Sequence, residues 1–191
     1  AKVKTYPVLF SGKITHSVFN YLTQKGVEPS EIYQITDLSD EFLKDPTAWL
    51  DVAKVEEFLG NIDSKYSSLL NDQNLVASIG HASKELKSWG VLDSVLRMIE
   101  NPQALFTQPQ RIVSYFISPA PPIANLKKTP ETVSFDLPIT FQEYPCVCSY
   151  LVAAIESLPR FFGGDFADAK WEGTKLTISW AEQQASFTSG E

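Results

Sequence analysis

The sequence predicts an α+β protein in which an N-terminal helical bundle packs on a C-terminal four-stranded antiparallel sheet. Residues 1–110 place their apolar side chains mainly at helical spacing. Residues 111–180 instead contain β-rich segments on either side of one helical stretch, in the order strand, strand, helix, strand, strand. We therefore expect a helical subdomain, a ββαββ subdomain and, at residues 181–191, a tail or a linker to an output domain.

The helices of the first subdomain are predicted from apolar stripes and from the residues that end them. The strongest pattern runs from about Asp51 to Tyr66, and Glu56 and Glu57 lie outside its stripe on a solvated face. A second pattern runs from Asn74 to Trp89 and is interrupted by Gly90. All of the chain before residue 111 is therefore expected to be helical or irregular.

The predicted sheet consists of four segments and one crossing helix. Its first strand is Arg111–Ile117, which is rich in β-branched and aromatic residues and is followed by a proline-rich connector. Its second strand is Thr132–Leu137. A helix over Cys146–Leu158 then precedes a closing hairpin of Ala167–Trp171 and Lys175–Trp180. We expect a cavity or a partner surface where the apolar face of this sheet meets the helices.

The charge of the chain argues against direct binding to nucleic acid or to a membrane surface. The formal net charge is −7 at pH 7, and Lys127 and Lys128 are the only adjacent basic residues. Proteins that read nucleic acids, or that bind anionic lipid surfaces, usually present a basic face. Neither partner is therefore expected.

The two cysteines indicate a reducing compartment. Cys146 and Cys148 are two positions apart on a predicted helix, so they face different directions and a bridge between them would be strained. Metal sites need further ligands, and His16 and His81 lack the spacing to supply them. The sequence has neither an apolar run of membrane-spanning length nor an opening signal peptide, which predicts a cytoplasmic location.

Five residues are candidates for a ligand site between the helices and the sheet. They are His81, Trp89, Tyr115, Cys148 and Tyr150. His81 could contact a buried ligand, although a partly exposed helix histidine is the simpler interpretation. Trp89 precedes the helix break at Gly90 and could open a cavity there, although a core tryptophan is the simpler interpretation. Nucleophile and nucleotide-binding motifs are lacking, so we expect a non-enzymatic domain.

The order of the elements resembles the sensory superfamily that includes heme-nitric-oxide/oxygen-binding (H-NOX) domains and 4-vinyl-reductase-type domains. The likeness is carried by the strand Thr132–Leu137, the helix segment Tyr150–Leu158, the Phe-Gly stop at 162–163 and the closing hairpin. The stretch from Ile79 to Pro102 is also similar to the N-terminal sensing domains of AraC-type transcription regulators. The resemblance implies a sensory input module of α+β fold.

The sequence departs from the H-NOX pattern where that family binds heme. H-NOX domains hold heme through a proximal histidine on the last helix before the sheet and through a Tyr-x-Ser-x-Arg motif after the second strand. Here the segment Pro102–Thr107 has no histidine, and the segment Pro138–Glu143 has no arginine. We therefore expect no cofactor, and heme held in another way, by His81, is the alternative that the sequence leaves open.

Together these observations predict the input domain of a bacterial signalling protein, such as a histidine kinase or a transcription regulator. It would bind a small apolar ligand or a partner protein between the helices and the sheet, and would pass the change through the closing strand to an output domain. The alternatives are an interaction or dimerisation module without a ligand, for which a homodimer is expected, and a heme-based gas sensor with atypical ligation.

Overall fold

The computed structural model describes residues 8–181, which contain ten α-helices and seven strands. The helices are α1 Gly12–Gln24, α2 Pro29–Gln34, α3 Asp40–Lys44, α4 Val52–Tyr66, α5 Leu75–His81, α6 Ser83–Leu86, α7 Val91–Arg97, α8 Pro102–Phe106, α9 Pro109–Phe116 and α10 Pro145–Ser157. The strands are β1 Leu9–Ser11, β2 Trp49–Asp51, β3 Ile117–Ser118, β4 Ala124–Lys128, β5 Thr132–Asp136, β6 Asp168–Glu172 and β7 Lys175–Ser179. A 3₁₀ turn over Leu158–Phe162 follows α10 directly. The α+β class is confirmed.

The strands of the C-terminal part form a four-stranded antiparallel sheet in the order β4-β5-β7-β6. The register pairs Phe135 with Leu176, and Leu176 with Trp171 on the other side. All three side chains are buried, so one face of the sheet packs on the protein interior. Gly173 has a positive φ of 59°, as the tight turn between β6 and β7 requires.

The first predicted strand is wrong, because Arg111–Phe116 belongs to helix α9. Pro109 begins this helix, and Ile112, Val113 and Phe116 share one buried face at helical spacing. Burial of this face overrides the β propensity of the individual residues. The missing strand is Ala124–Lys128, whose five residues are all exposed at the sheet edge, so no apolar alternation marked it. The order β-β-α-β-β is nevertheless retained.

A second, three-stranded sheet was not predicted, so the N-terminal part is not wholly helical. Its order is β2-β1-β3, and Phe10 pairs with Leu50 on one side and with Ile117 on the other. These strands contain only two or three residues, which is too few for alternation to show. The short sheet joins the beginning of the chain to the segment that leads into the larger sheet.

Helices α5 and α10 approach each other closely at Gly80. A β-carbon at this position would lie 2.7 Å from the Cβ of Ala153 and 2.7 Å from the carbonyl oxygen of Tyr150. Only glycine fits there without a shift of the α10 backbone. This contact fixes α10, the helix that crosses between β5 and β6, against the N-terminal helices.

Candidate functional site at the seam between helices and sheet

A small apolar cavity lies where α9 and α10 meet the four-stranded sheet. Its volume is about 10 Å³, which is close to the least space that holds one water molecule. The side chains around it are hydrophobic and include Ile112, Phe116, Leu151, Ile155, Trp171 and Leu176. A cavity without polar partners does not retain water, and one of this size must widen before it can hold an apolar ligand. The cavity lies at the seam between helices and sheet, but none of the five predicted ligand residues lines it.

Beside this cavity, the ring of Trp89 is enclosed by two phenylalanines. It stacks on Phe161, with ring centroids 5.3 Å apart and an interplanar angle of 12°, and it makes a T-shaped contact with Phe116 at 5.2 Å and 75°. The Trp89 side chain is 1% exposed. Phe116 contacts Trp89 and also lines the cavity, so the indole of Trp89 and the cavity are separated by a single side chain.

A hydrogen-bond chain crosses the same region. Trp89 Nε1 donates to the hydroxyl of Tyr150 at 3.1 Å, and that hydroxyl donates to Ser17 Oγ at 2.9 Å. The chain therefore joins the loop before α7, helix α10 and helix α1. Complete burial raises the pKa of Tyr150, so this phenol stays protonated and can keep donating. Two of the five predicted ligand residues are thus in direct contact.

His81 lies at an outer edge of the seam. Its Nε2 is 2.8 Å from Glu156 Oε1, and the other carboxylate oxygen of Glu156 accepts the backbone N–H of Ala169 at 3.1 Å. The edge of the His81 ring packs against Phe166, and the side chain is 41% exposed. This cluster ties α5 and α10 to the beginning of β6.

The remaining two candidates have different surroundings. Cys148 is buried and its thiol lies 3.7 Å from the carbonyl oxygen of Thr140, while burial raises its pKa to about 12. The hydroxyl of Tyr115, on α9, is enclosed and has no hydrogen-bond partner among residues 8–181. The role of all five residues in ligand binding stays a prediction.

Two carboxylates have roles that sequence reasoning missed. Glu56 was expected on a solvated face, but its two oxygens accept the backbone N–H of Cys146 at 2.9 and 3.0 Å. One of them also accepts the N–H of Val147, so Glu56 caps α10. Asp93, on α7, is buried and accepts the N–H of Trp89 through Oδ2. The partner of Glu56 is 90 positions away, so no local signal marks that contact.

Solved structures of one H-NOX protein are similar to this architecture. The Fe(II) unliganded H-NOX protein from K. algicida matches with a TM-score of 0.55 at 12% identity, over 91% of this chain and 98% of that chain. The chain has an H-NOX-like fold. A point mutant of the same K. algicida protein matches with a TM-score of 0.47 at 15% identity over the same shares. No protein-family model and no curated protein matches the sequence.

The residues of this H-NOX-like fold do not fit a heme held by histidine at the seam. The chain has two histidines, and both are bonded elsewhere: His81 to Glu156, and His16 to the carbonyl of Leu43 and to Asn20. Neither α8 nor α9 carries a histidine. Within residues 8–181, no cluster of three or more His, Cys, Asp or Glu side chains could hold a metal ion.

Within the same described range, no helix is both long enough and apolar enough to cross a membrane.

Proposed function

We propose that this H-NOX-like chain is the sensory input domain of a bacterial signalling protein, such as a histidine kinase or a transcription regulator. It binds a small apolar ligand between α9, α10 and the sheet, and is itself not an enzyme. The observation that carries this proposal is the hydrophobic cavity at the seam, with the likeness of fold as support. A cytoplasmic location and the absence of nucleic-acid and membrane partners belong to the same proposal.

The cavity suggests how binding would be passed on. Its walls belong to α9, to α10 and to strands β6 and β7 of the sheet, so an occupant that favours one spacing of these layers shifts the equilibrium between two arrangements. Strand β7 contributes Leu176 to the cavity wall and ends immediately before Trp180. A change at the cavity would therefore reach an output domain through this closing strand.

Xenon is a suitable probe of whether this seam widens around an apolar occupant, because it binds dry apolar cavities that are large enough to hold it. We expect ¹²⁹Xe and methyl NMR shifts in the wild type that saturate with xenon pressure and concentrate on Leu151, Ile155 and Leu176. Leu151→Phe should fill the cavity and abolish these shifts, at a cost of about 1–3 kcal/mol of stability from overpacking. Leu69→Phe makes the same change at a side chain that is 72% exposed and should leave them unaltered.

The ligand proposal fails if folded Leu151→Phe shows the same xenon shifts as the wild type. It also fails if xenon perturbs the wild type only at surface positions. Hydrogen exchange of the β7 amides provides the second readout, since occupation of the cavity should change their protection. Unchanged β7 protection in the saturated wild type would contradict transmission through that strand.

The second candidate function is an interaction or dimerisation module. It is favoured by α7, where Val91 is 80% exposed and Met98 at its end is 82% exposed, seven positions apart and thus on one side of the helix. Val95 lies between them on the same side and is partly exposed, so the three side chains form a continuous apolar stripe of the kind found at contact surfaces. Met98→Lys should convert a homodimer to a monomer in sedimentation equilibrium, whereas Leu69→Lys should not. A monomeric wild type would contradict this alternative.

A further inference from the structure

We infer that the indole of Trp89 is a built-in occupant of the helical core beside the helix–sheet seam, and that its position excludes a tetrapyrrole from the core of this H-NOX-like fold. This inference is independent of the small-ligand proposal, because it concerns the space that the Trp89 indole fills and not the apolar cavity near it. An H-NOX domain is expected to place heme between helices and sheet, whereas this chain places its own side chains there.

The contacts of Trp89 are those of a bound aromatic ligand. One face of the indole lies on Phe161, Phe116 makes a T-shaped contact with it, and its only polar atom donates to Tyr150. These partners come from three separate elements, namely the 3₁₀ turn, α9 and α10. A side chain that is 1% exposed and fully hydrogen-bonded leaves no free surface for a planar cofactor to stack on.

The backbone around Trp89 holds the indole in this position. Lys87 has a φ of 53° and Gly90 has a φ of 64°, so a residue with positive φ precedes the tryptophan by two positions and another follows it directly. The N–H of Trp89 donates to Asp93, and Ser88 accepts a hydrogen bond from Asn20 of α1 at 2.8 Å. Lys87 is the left-handed C-cap of α6, a conformation that costs a residue with a β-carbon energy, and the contacts of Ser88 and Trp89 help to hold it.

A second aromatic pair lies on α8, the segment where the family resemblance implies the helix that carries the heme-binding histidine. Phe106 is the last residue of α8, is 0% exposed, and stacks on Trp180 with ring centroids 5.1 Å apart. Phe116 holds the corresponding inward position on α9. Both helices before the large sheet therefore direct a phenylalanine inward, and an aromatic hydrocarbon ring cannot ligate iron.

Hemin titration of the full wild-type chain tests the exclusion. We expect no saturable one-to-one complex, no sharpened Soret band distinct from that of free hemin, and no saturable quenching of the tryptophan fluorescence of the chain. The same spectrum is expected for protein purified from cells supplied with a heme precursor. A one-to-one complex with a shifted Soret band, in either experiment, would overturn the inference.

Trp89→Gly tests the built-in occupant directly. The variant should melt at a lower temperature than the wild type, and free indole should raise its melting temperature with concentration, as mass action requires. Trp49→Gly is the matched control, since Trp49 is 37% exposed and its removal leaves no enclosed space. Indole-dependent folding of an otherwise unfolded Trp89→Gly supports the inference. Indole that stabilises both variants equally, or a Trp89→Gly protein unaffected by indole, overturns it.

Discussion

Asp93 shows how one buried side chain is affected by its surroundings. Its Oδ2 accepts the N–H of Trp89 at 3.3 Å, whereas its Oδ1 is enclosed without a hydrogen-bond partner among residues 8–181. Burial raises the pKa of this carboxyl, and the Trp89 N–H, Arg97 and Lys87 offset the effect only in part. The folded protein therefore holds a proton on Asp93 at pH values where the unfolded chain has already released it.

The raised pKa of Asp93 predicts a pH dependence that Asp93→Asn removes. When a carboxyl has a higher pKa in the folded state than in the unfolded state, the free energy of unfolding of the protein falls as pH rises from the unfolded pKa through the folded pKa. The free energy of unfolding of the wild type should thus fall relative to that of Asp93→Asn as pH rises from the unfolded pKa of an aspartate, about 4, and should level off above the folded pKa, with a slope of about 1.4 kcal/mol per pH unit between the two. Urea unfolding of both proteins across this range measures the difference, and a constant difference would contradict the prediction.

At the residue scale, the sequence predicts which side chains are buried better than it predicts which residues they contact. Trp89 and Tyr150 were both singled out, and they do meet, because large aromatic residues at apolar positions are buried by default. Ser17, which accepts the hydrogen bond of Tyr150, lies 133 positions away, and no feature of the sequence around it predicts this contact. The pairing of His81 with Glu156 is equally remote in sequence, with a separation of 75 positions.

At the scale of elements, α10 depends on a cap from another helix. The backbone N–H groups at a helix N-terminus lack partners within the helix, and here the Glu56 carboxylate of α4 accepts two of them. The negative charge also complements the positive end of the helix dipole. The residue before α10, Tyr144, supplies no side-chain cap of its own.

Glu56→Gln should therefore destabilise the protein, whereas Glu57→Gln should not. We expect a loss of about 1 kcal/mol for Glu56→Gln from the weaker cap and the lost charge, and a change within about 0.5 kcal/mol for the exposed Glu57. Denaturant unfolding gives both values, and hydrogen exchange at Cys146 and Val147 should rise only in Glu56→Gln. Equal effects of the two substitutions would contradict the capping role.

The elements themselves were predicted unequally well. Helix α10 and the β6–β7 hairpin appear close to their predicted bounds, because a long apolar stripe and a Gly-containing turn are local signals. Helix α9 was mistaken for a strand, because Ile112, Val113, Tyr115 and Phe116 favour strands individually and the segment is only eight residues long. Strand β4 is exposed throughout, and its pairing with β5 comes from the sheet rather than from its own sequence.

At the scale of the whole molecule, the two predicted subdomains share one hydrophobic core. A single cluster of buried residues includes Phe10 and Ile14 near the N-terminal end together with Leu176 and Trp180 near the C-terminal end. The boundary at residue 110, predicted from the change in apolar spacing, separates two patterns of secondary structure whose buried residues belong to this one cluster. A chain of this size with a continuous core is expected to unfold cooperatively.

Gly80→Ala tests this shared core. The added β-carbon would press on the α10 backbone, so we expect a loss of about 1–3 kcal/mol. Far-UV circular dichroism and tryptophan fluorescence should report the same lowered midpoint. Gly60→Ala is the control: this glycine lies within α4 with open space around it, and alanine there should stabilise the helix by about 0.5–1 kcal/mol. Separate transitions by the two probes would contradict a single core.

Glu156 has a consequence for self-association. Its carboxylate accepts the N–H of Ala169, a backbone donor on the unpaired edge of β6. A strand from another molecule could pair with this donor only by displacing the carboxylate, which also binds His81. At the opposite border, β4 carries Lys127 and Lys128 and an irregular register. Charged and irregular borders of this kind disfavour β-type polymerisation. Assembly of this molecule with copies of itself should therefore proceed through its helical surfaces, and fibril formation should be slow.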